Sequence, residues 1–142
     1  MADELDVTIP ARLSEVRELS GMVEAFGDAN GLPDPKVFVI NLALDELITN
    51  TVTHGLEDKA DAEIRIRMQV DGGTLILVME DNGQPFDPTQ DTNADVTSSL
   101  EERAIGGLGL HLVKSFADRI TYEFVGGRNR LTMEHDLARA AE

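Results

Sequence analysis

From Ala62 to Asp81 the chain alternates apolar and polar side chains on either side of Asp71-Gly72-Gly73, which leaves little choice of local structure. Residues Ala62 to Val70 alternate almost perfectly and Thr74 to Asp81 is the more apolar run, predicting an antiparallel hairpin with one face that must be covered. The preceding sequence supplies the cover. Leu13, Val16, Leu19, Val23 and Phe26 recur every three or four residues, predicting a helix from Ala11 to about Ala29 that ends at Gly31-Leu32-Pro33-Asp34-Pro35. Val37, Ile40, Leu44, Leu47, Ile48 and Thr51 repeat that spacing in a second helix, Pro35 to His54, with Asp34 as N-cap, Pro35 as first helical residue and Gly55 as stop.

A short strand, Leu5 to Ile9, precedes the helices and stops at Pro10. After the hairpin, periodicity disappears from Gly83 to Gly106, which reads as a long loop and candidate lid. A glycine-rich turn then leads into a helix near Leu108 to Phe116, and strands near Arg119 to Val125 and Arg130 to Leu137 flank Gly126-Gly127. The order β-α-α-β-β-loop-α-β-β predicts an α+β fold, a two-layer sandwich of a mixed, mostly antiparallel sheet with helices on one face. At 142 residues, one domain over 1–142 is expected.

Composition removes several functions. The chain has no cysteine, which excludes disulfides, thiolate metal sites and cysteine nucleophiles. Three scattered histidines argue against an imidazole metal cage. A formal net charge of −15 opposes nucleic acid and anionic membrane, whose recognition rests on Lys and Arg. No apolar run approaches the roughly 20 residues a bilayer span needs, and the acidic opening Met1 to Asp6 lacks the features of a secretory signal. The expected location is the cytosol.

Three elements carry possible chemistry. Glu46 and Asn50 lie four residues apart on one helix face, a strip that His54 continues. A carboxylate can take a proton from a nucleophile and an amide oxygen is a hard ligand suited to Mg²⁺, although the same pair also fits a plain solvated face. Asp81-Asn82-Gly83 closes an apolar strand, where a buried carboxylate can accept from an exocyclic amine such as that of adenine and a glycine lets a flat ring approach. The alternative there is an ordinary turn. Gly106-Gly107-Leu108-Gly109-Leu110 stands before a helix, where free backbone N–H groups bind phosphate without a lysine; a hinge is the plainer reading. No Gly-Lys-Ser or Gly-Lys-Thr follows, so this is not a Walker loop.

Together and in this order, the three elements resemble the boxes of the GHKL ATPase superfamily, over roughly Val37 to Met133. Leu44-Asp45-Glu46-Leu47-Ile48-Thr49-Asn50 with His54-Gly55 is the most telling match. The Pro85-Phe86-Asp87 continuation is most similar to the small anti-sigma-factor serine/threonine kinases. By that resemblance the fold is of the Bergerat type, Asn50 coordinates Mg²⁺, Asp81 binds the adenine amine, and Gly83 lies beside the base in the box that also holds Phe86. His54 belongs to the same nucleotide site, Gly107, Leu108, Gly109 and Leu110 cap the phosphates of ATP, and the lid spans about 87–106. Arg103 would reach the γ-phosphate when the lid closes. Glu46 is the implied base toward a serine or threonine hydroxyl on an anti-anti-sigma (STAS-type) protein, with a sigma factor as the other partner.

One departure stands out. Where many relatives carry Gly-Thr before the last strand, this chain has Arg128-Asn129, with Asn129 the candidate for a water-mediated contact to adenine. The resemblance also implies a bacterial homodimer joined through the N-terminal strand and first helix. A different class of function, an ATP-sensing module that sequesters a partner without phosphorylating it, fits the same nucleotide residues, but Glu46 favours the kinase.

Overall fold

The computed structural model describes residues 4–55, 61–89, 111 and 113–138. Strands β1 (Leu5–Pro10), β2 (Glu63–Asp71), β3 (Thr74–Asp81), β4 (Arg119–Val125) and β5 (Arg128–Asp136) form one sheet in the order β1-β2-β3-β5-β4. Helices α1 (Val16–Asn30) and α2 (Asp34–Asn50) cover one of its faces. The sequence predicts a mixed, mostly antiparallel sheet, and every pairing among the described residues is antiparallel. The reason is the place of β5. It inserts between β3 and β4, so these two run parallel to each other without touching.

Both hairpins close with two-residue glycine turns, between Asp71↔Thr74 and between Val125↔Arg128. Gly72, Gly73, Gly126 and Gly127 have φ of 59°, 83°, 61° and 75°, the left-handed values that such turns require of both central residues. The period-2 pattern then sends Ile64, Ile66, Met68, Leu75, Leu77, Met79, Leu131 and Met133 to the covered face, where all are buried. Leu19, Val23 and Phe26 of α1 and Ile40, Leu44, Leu47 and Ile48 of α2 meet them. Each such side chain contributes about 1.5–3 kcal/mol by leaving water.

The helices differ from the sequence reading at their ends. A 3₁₀ turn, Leu13–Glu15, precedes α1 and is out of phase with its stripe, which leaves Leu13 51% exposed. Helix α1 closes through Leu32 N–H to Gly27 O (2.8 Å), with Gly31 left-handed, and the buried Leu32 follows as the usual apolar contact. For α2 the N-cap is Pro33, in extended conformation, instead of Asp34. Asp34 is already the first helical residue and makes no side-chain cap; its charge there still complements the helix dipole. At the other end α2 stops at Asn50, and Thr51–Gly55 continue as a wider π turn.

Two close contacts hold the helix layer in place. A Cβ added at Gly27 would meet Val37 Cγ2 at 2.5 Å, so glycine permits the approach of α1 to α2. In the first turn of α2, the buried Lys36 places Nζ 2.6 Å from His135 Nε2 on β5. His135 Nδ1 lies 2.7 Å from the Phe116 carbonyl, which can only accept, so Nδ1 carries the hydrogen and Nε2 accepts from Lys36. The Phe116 ring stacks on His135 at 3.9 Å, tying the helical residues 113–116 to the sheet. No helix among the described residues is long and apolar enough to cross a membrane.

Candidate functional site

The last turn of α2 presents Glu46 and Asn50 half-buried on one face. Asn50 Nδ2 donates to Glu46 Oε2 and to the Pro88 carbonyl, each at 3.3 Å. With its amide hydrogens directed at protein oxygens, Asn50 offers its carbonyl oxygen as the atom suited to a hard cation. Burial raises the Glu46 pKa above its ordinary value, the Asn50 hydrogen bond opposes this, and the neighbouring Asp45 charge adds to it. The shift moves Glu46 toward the range where a carboxylate serves as a base at neutral pH. Among the described residues no group of three or more His, Cys, Asp or Glu side chains gathers as a metal cage.

The second cluster sits at the strand ends. Asp81, the last residue of β3, is 2% exposed and faces Asn129 of β5 across the ladder. Its Oδ1 accepts from Gly83 N–H at 2.8 Å and from Asn129 Nδ2 at 2.9 Å. Both bonds fall on one oxygen, so the carboxylate is oriented by the protein, and among the described residues no hydrogen bond falls on Oδ2. Burial raises the Asp81 pKa, against the hydrogen bonds from Asn129 and Gly83 and the Arg128 charge.

Asn129 holds this region together. It donates to Asp81 Oδ1 and to the Gln84 carbonyl (2.8 Å), and accepts from Phe86 N–H (2.8 Å) and from the Tyr122 hydroxyl. Two donors and two acceptor sites are thereby used, so this amide positions Asp81 and the backbone of residues 84–86. Phe86 N–H is shared with the Tyr122 oxygen at 3.1 Å. Tyr122 carries no motif signal in the sequence. It is recruited because β4 pairs with β5 and brings its hydroxyl to Asn129.

Segment 86–88 bridges the clusters, held by Asn129 and Tyr122 at Phe86 and by Asn50 at Pro88. His54, exposed on the π turn, places its ring 5.9 Å from that of Phe86, beside the bridge. Asp87 Oδ1 accepts from Thr89 N–H (2.9 Å) and Thr89 Oγ1 (2.6 Å), turning the chain where the expected lid begins. Glu46, Asn50, His54, Asp81, Gly83, Phe86 and Asn129 therefore belong to one connected region. Arg103, Gly107, Leu108, Gly109, Leu110 and the lid from residue 90 to 106 lie outside the described residues.

A family model described as a histidine kinase-like ATPase domain matches residues 9–135. The serine/threonine-protein kinase BtrW of Bordetella bronchiseptica is 31% identical over 96 residues, 68% of either chain. The serine-protein kinase RsbW of Listeria monocytogenes is 27% identical over 124 residues, 84% of this chain and 79% of that one. In fold, the chain is similar to the structure of the RsbU and RsbW domains of a Mycobacterium tuberculosis protein (TM-score 0.66, 17% identity, 99% of this chain and 34% of the other). It is also similar to a histidine kinase domain from Erythrobacter litoralis (TM-score 0.56, 18% identity, 92% and 62% covered).

Proposed function

The chain belongs to the histidine kinase-like ATPase family, and from that premise we propose that it is an anti-sigma regulatory kinase. It binds ATP with Mg²⁺ across α2 and the β3 end and phosphorylates a serine or threonine of a STAS-type anti-anti-sigma protein. The observation that carries this reading is the division of labour in the site. A buried Asp81, oriented through one oxygen, can accept from the adenine amine with the other, while Glu46 and Asn50 stand at a separate helix end bridged to it by residues 86–88. The names of the relatives, serine-protein kinase and anti-sigma F factor, agree with this chemistry.

In the transfer step Glu46 takes the acceptor hydroxyl proton as the new O–P bond forms and the bond from γ-phosphorus to the bridging oxygen breaks, releasing ADP. Asn50 would hold Mg²⁺ through its side-chain oxygen, and the ion would supply positive charge beside the phosphates. Asp81, Gly83 and Phe86 receive the base, and Asn129 and Tyr122 keep them in position. Gly107, Leu108, Gly109, Leu110 and Arg103 are assigned to the phosphates. One domain over 1–142, a homodimer, a sigma factor as second partner and the bacterial cytosol complete the proposal.

Two measurements on one preparation test it: calorimetric titration with ATP with and without Mg²⁺, and transfer of labelled γ-phosphate to a purified anti-anti-sigma protein. Magnesium-dependent binding with transfer to serine or threonine is the expected result. Absence of ATP binding removes the site assignment, whereas binding without transfer to any acceptor identifies a non-catalytic ATP-sensing module.

A further inference from the structure

Helix α2 carries an exposed apolar row that leads to the carboxylate assigned as base. Among the described residues the most exposed large hydrophobic side chain is Phe38, 65% accessible, and Leu42, one helical turn on, is 36% accessible. Phe38, Leu42 and Glu46 are successive members of one i, i+4 ridge, so their side chains stand side by side along the helix. With about 1.5 Å of rise per residue, Phe38 lies roughly 12 Å from Glu46 along the axis. Asp34 and Asp45 are exposed at the two ends of the row, in a chain of net charge −15. The sheet-facing side of α2 is already filled by Ile40, Leu44, Leu47 and Ile48, so the row has no part in the core formed by the described residues.

We infer that the Phe38–Leu42 row is the docking surface for the phosphoacceptor protein, which lays an apolar patch with a basic rim on α2 and so delivers its hydroxyl to Glu46. The inference rests on the kinase reading and adds what the acceptor must look like. A protein interface of ordinary size, about 800 Å² on each side, easily spans the row and the reacting carboxylate together. Apolar contact supplies affinity, and cations beside the acceptor patch meet Asp34 and Asp45, which also speeds encounter. The row reaches Glu46 along a rigid helix, so an acceptor bound there lies beside the reacting carboxylate, and the row contributes binding that ground state and transition state share.

The test compares wild type with Phe38→Ser and Leu42→Ser, using the STAS-type anti-anti-sigma protein encoded in the same genome as acceptor. Initial transfer rates give KM and kcat, calorimetry gives acceptor and ATP affinities, and sedimentation velocity gives the mass. The expected result is a KM and an acceptor Kd raised about tenfold or more, with kcat, ATP affinity, mass and thermal midpoint unchanged. Unchanged acceptor affinity overturns the inference and leaves the kinase reading intact. A fall in mass assigns the row to a second copy of the chain, and a fall in ATP affinity assigns it to a segment of the chain itself; either overturns it. Acceptor binding without transfer in wild type removes only the kinase reading, with the variants' Kd still deciding on the row; absence of acceptor binding to wild type removes both.

Discussion

The two halves of the site are built to different tolerances. At the strand ends, Asp81, Asn129, Tyr122 and the backbone of residues 83–86 form a buried network with bonds mostly of 2.8–2.9 Å, and the Asn129 amide is fully used. At the end of α2, Glu46 and Asn50 share a single bond of 3.3 Å, half-buried, beside a π turn. The difference matches the two tasks proposed for them. Recognition of a flat base benefits from acceptors fixed in advance, because nothing then has to be ordered on binding. A base and a cation ligand must instead adjust to phosphate, metal and acceptor, which arrive together only in the reacting complex.

The largest effect that would sharpen this contrast is expected at Glu46. Glu46→Ala should slow phosphoryl transfer by about 10²–10⁴-fold while ATP affinity stays within about twofold, since general-base assistance acts on the transition state. Single-turnover transfer and ATP calorimetry on the same sample check it; a variant that transfers at the wild-type rate removes Glu46 as base.

Asp81→Asn comes next. The amide keeps the Oδ1 acceptor used by Gly83 and Asn129 but turns N–H groups toward the ligand amine, so ATP affinity should fall about tenfold or more. Stability should respond in the opposite sense. Burial raises the Asp81 pKa in the folded state, so its contribution to stability is fully present below the unfolded pKa near 4 and is lost as pH rises through the folded value. The Asn variant lacks that loss, and its stability relative to wild type, by urea unfolding, should improve between pH 4 and pH 7. An unchanged difference across that range would show that the Asp81 carboxylate is not strained by burial.

Smaller effects follow in the supporting network. Asn129→Ala leaves several buried partners unsatisfied and should cost roughly 1–3 kcal/mol of stability, with ATP affinity falling alongside because Asp81 is no longer oriented. Tyr122→Phe removes one hydroxyl from the same network and should cost about 0.5–1.5 kcal/mol, read as a shift in the urea midpoint with ATP affinity nearly intact. Equal losses of ATP affinity in the two variants would break the distinction between the residue that orients Asp81 and the one that only braces it.

The strands, both main helices and the glycine turns were legible because each depends on side chains a few residues apart. Boundaries were less so: the 3₁₀ turn at Leu13–Glu15 and the π turn at Thr51–Gly55 break the 3.6-residue period at α1's start and α2's end, where periodicity has no neighbours to average over. Glu46 and Asn50 were readable as a pair for the same reason, four residues apart on one helix. Asn129 stands out in the sequence as the candidate for a water-mediated contact to adenine; the hydrogen bonds of its amide to Asp81, Gln84, Phe86 and Tyr122 depend on strand pairing and are not legible there.

The sequence by itself determined the hairpin, the amphipathic helices, the acidic balance and the residue types of the site, all of them set by local spacing or composition. Tertiary structure alone decided that Asp81 meets Asn129, 48 residues away in the chain, and that Lys36 meets His135, 99 residues away. Those partnerships follow from strand order, and strand order is selected by how one covered sheet face packs against two helices. No local pattern encodes that choice, because its free energy appears only when the distant segments are buried together.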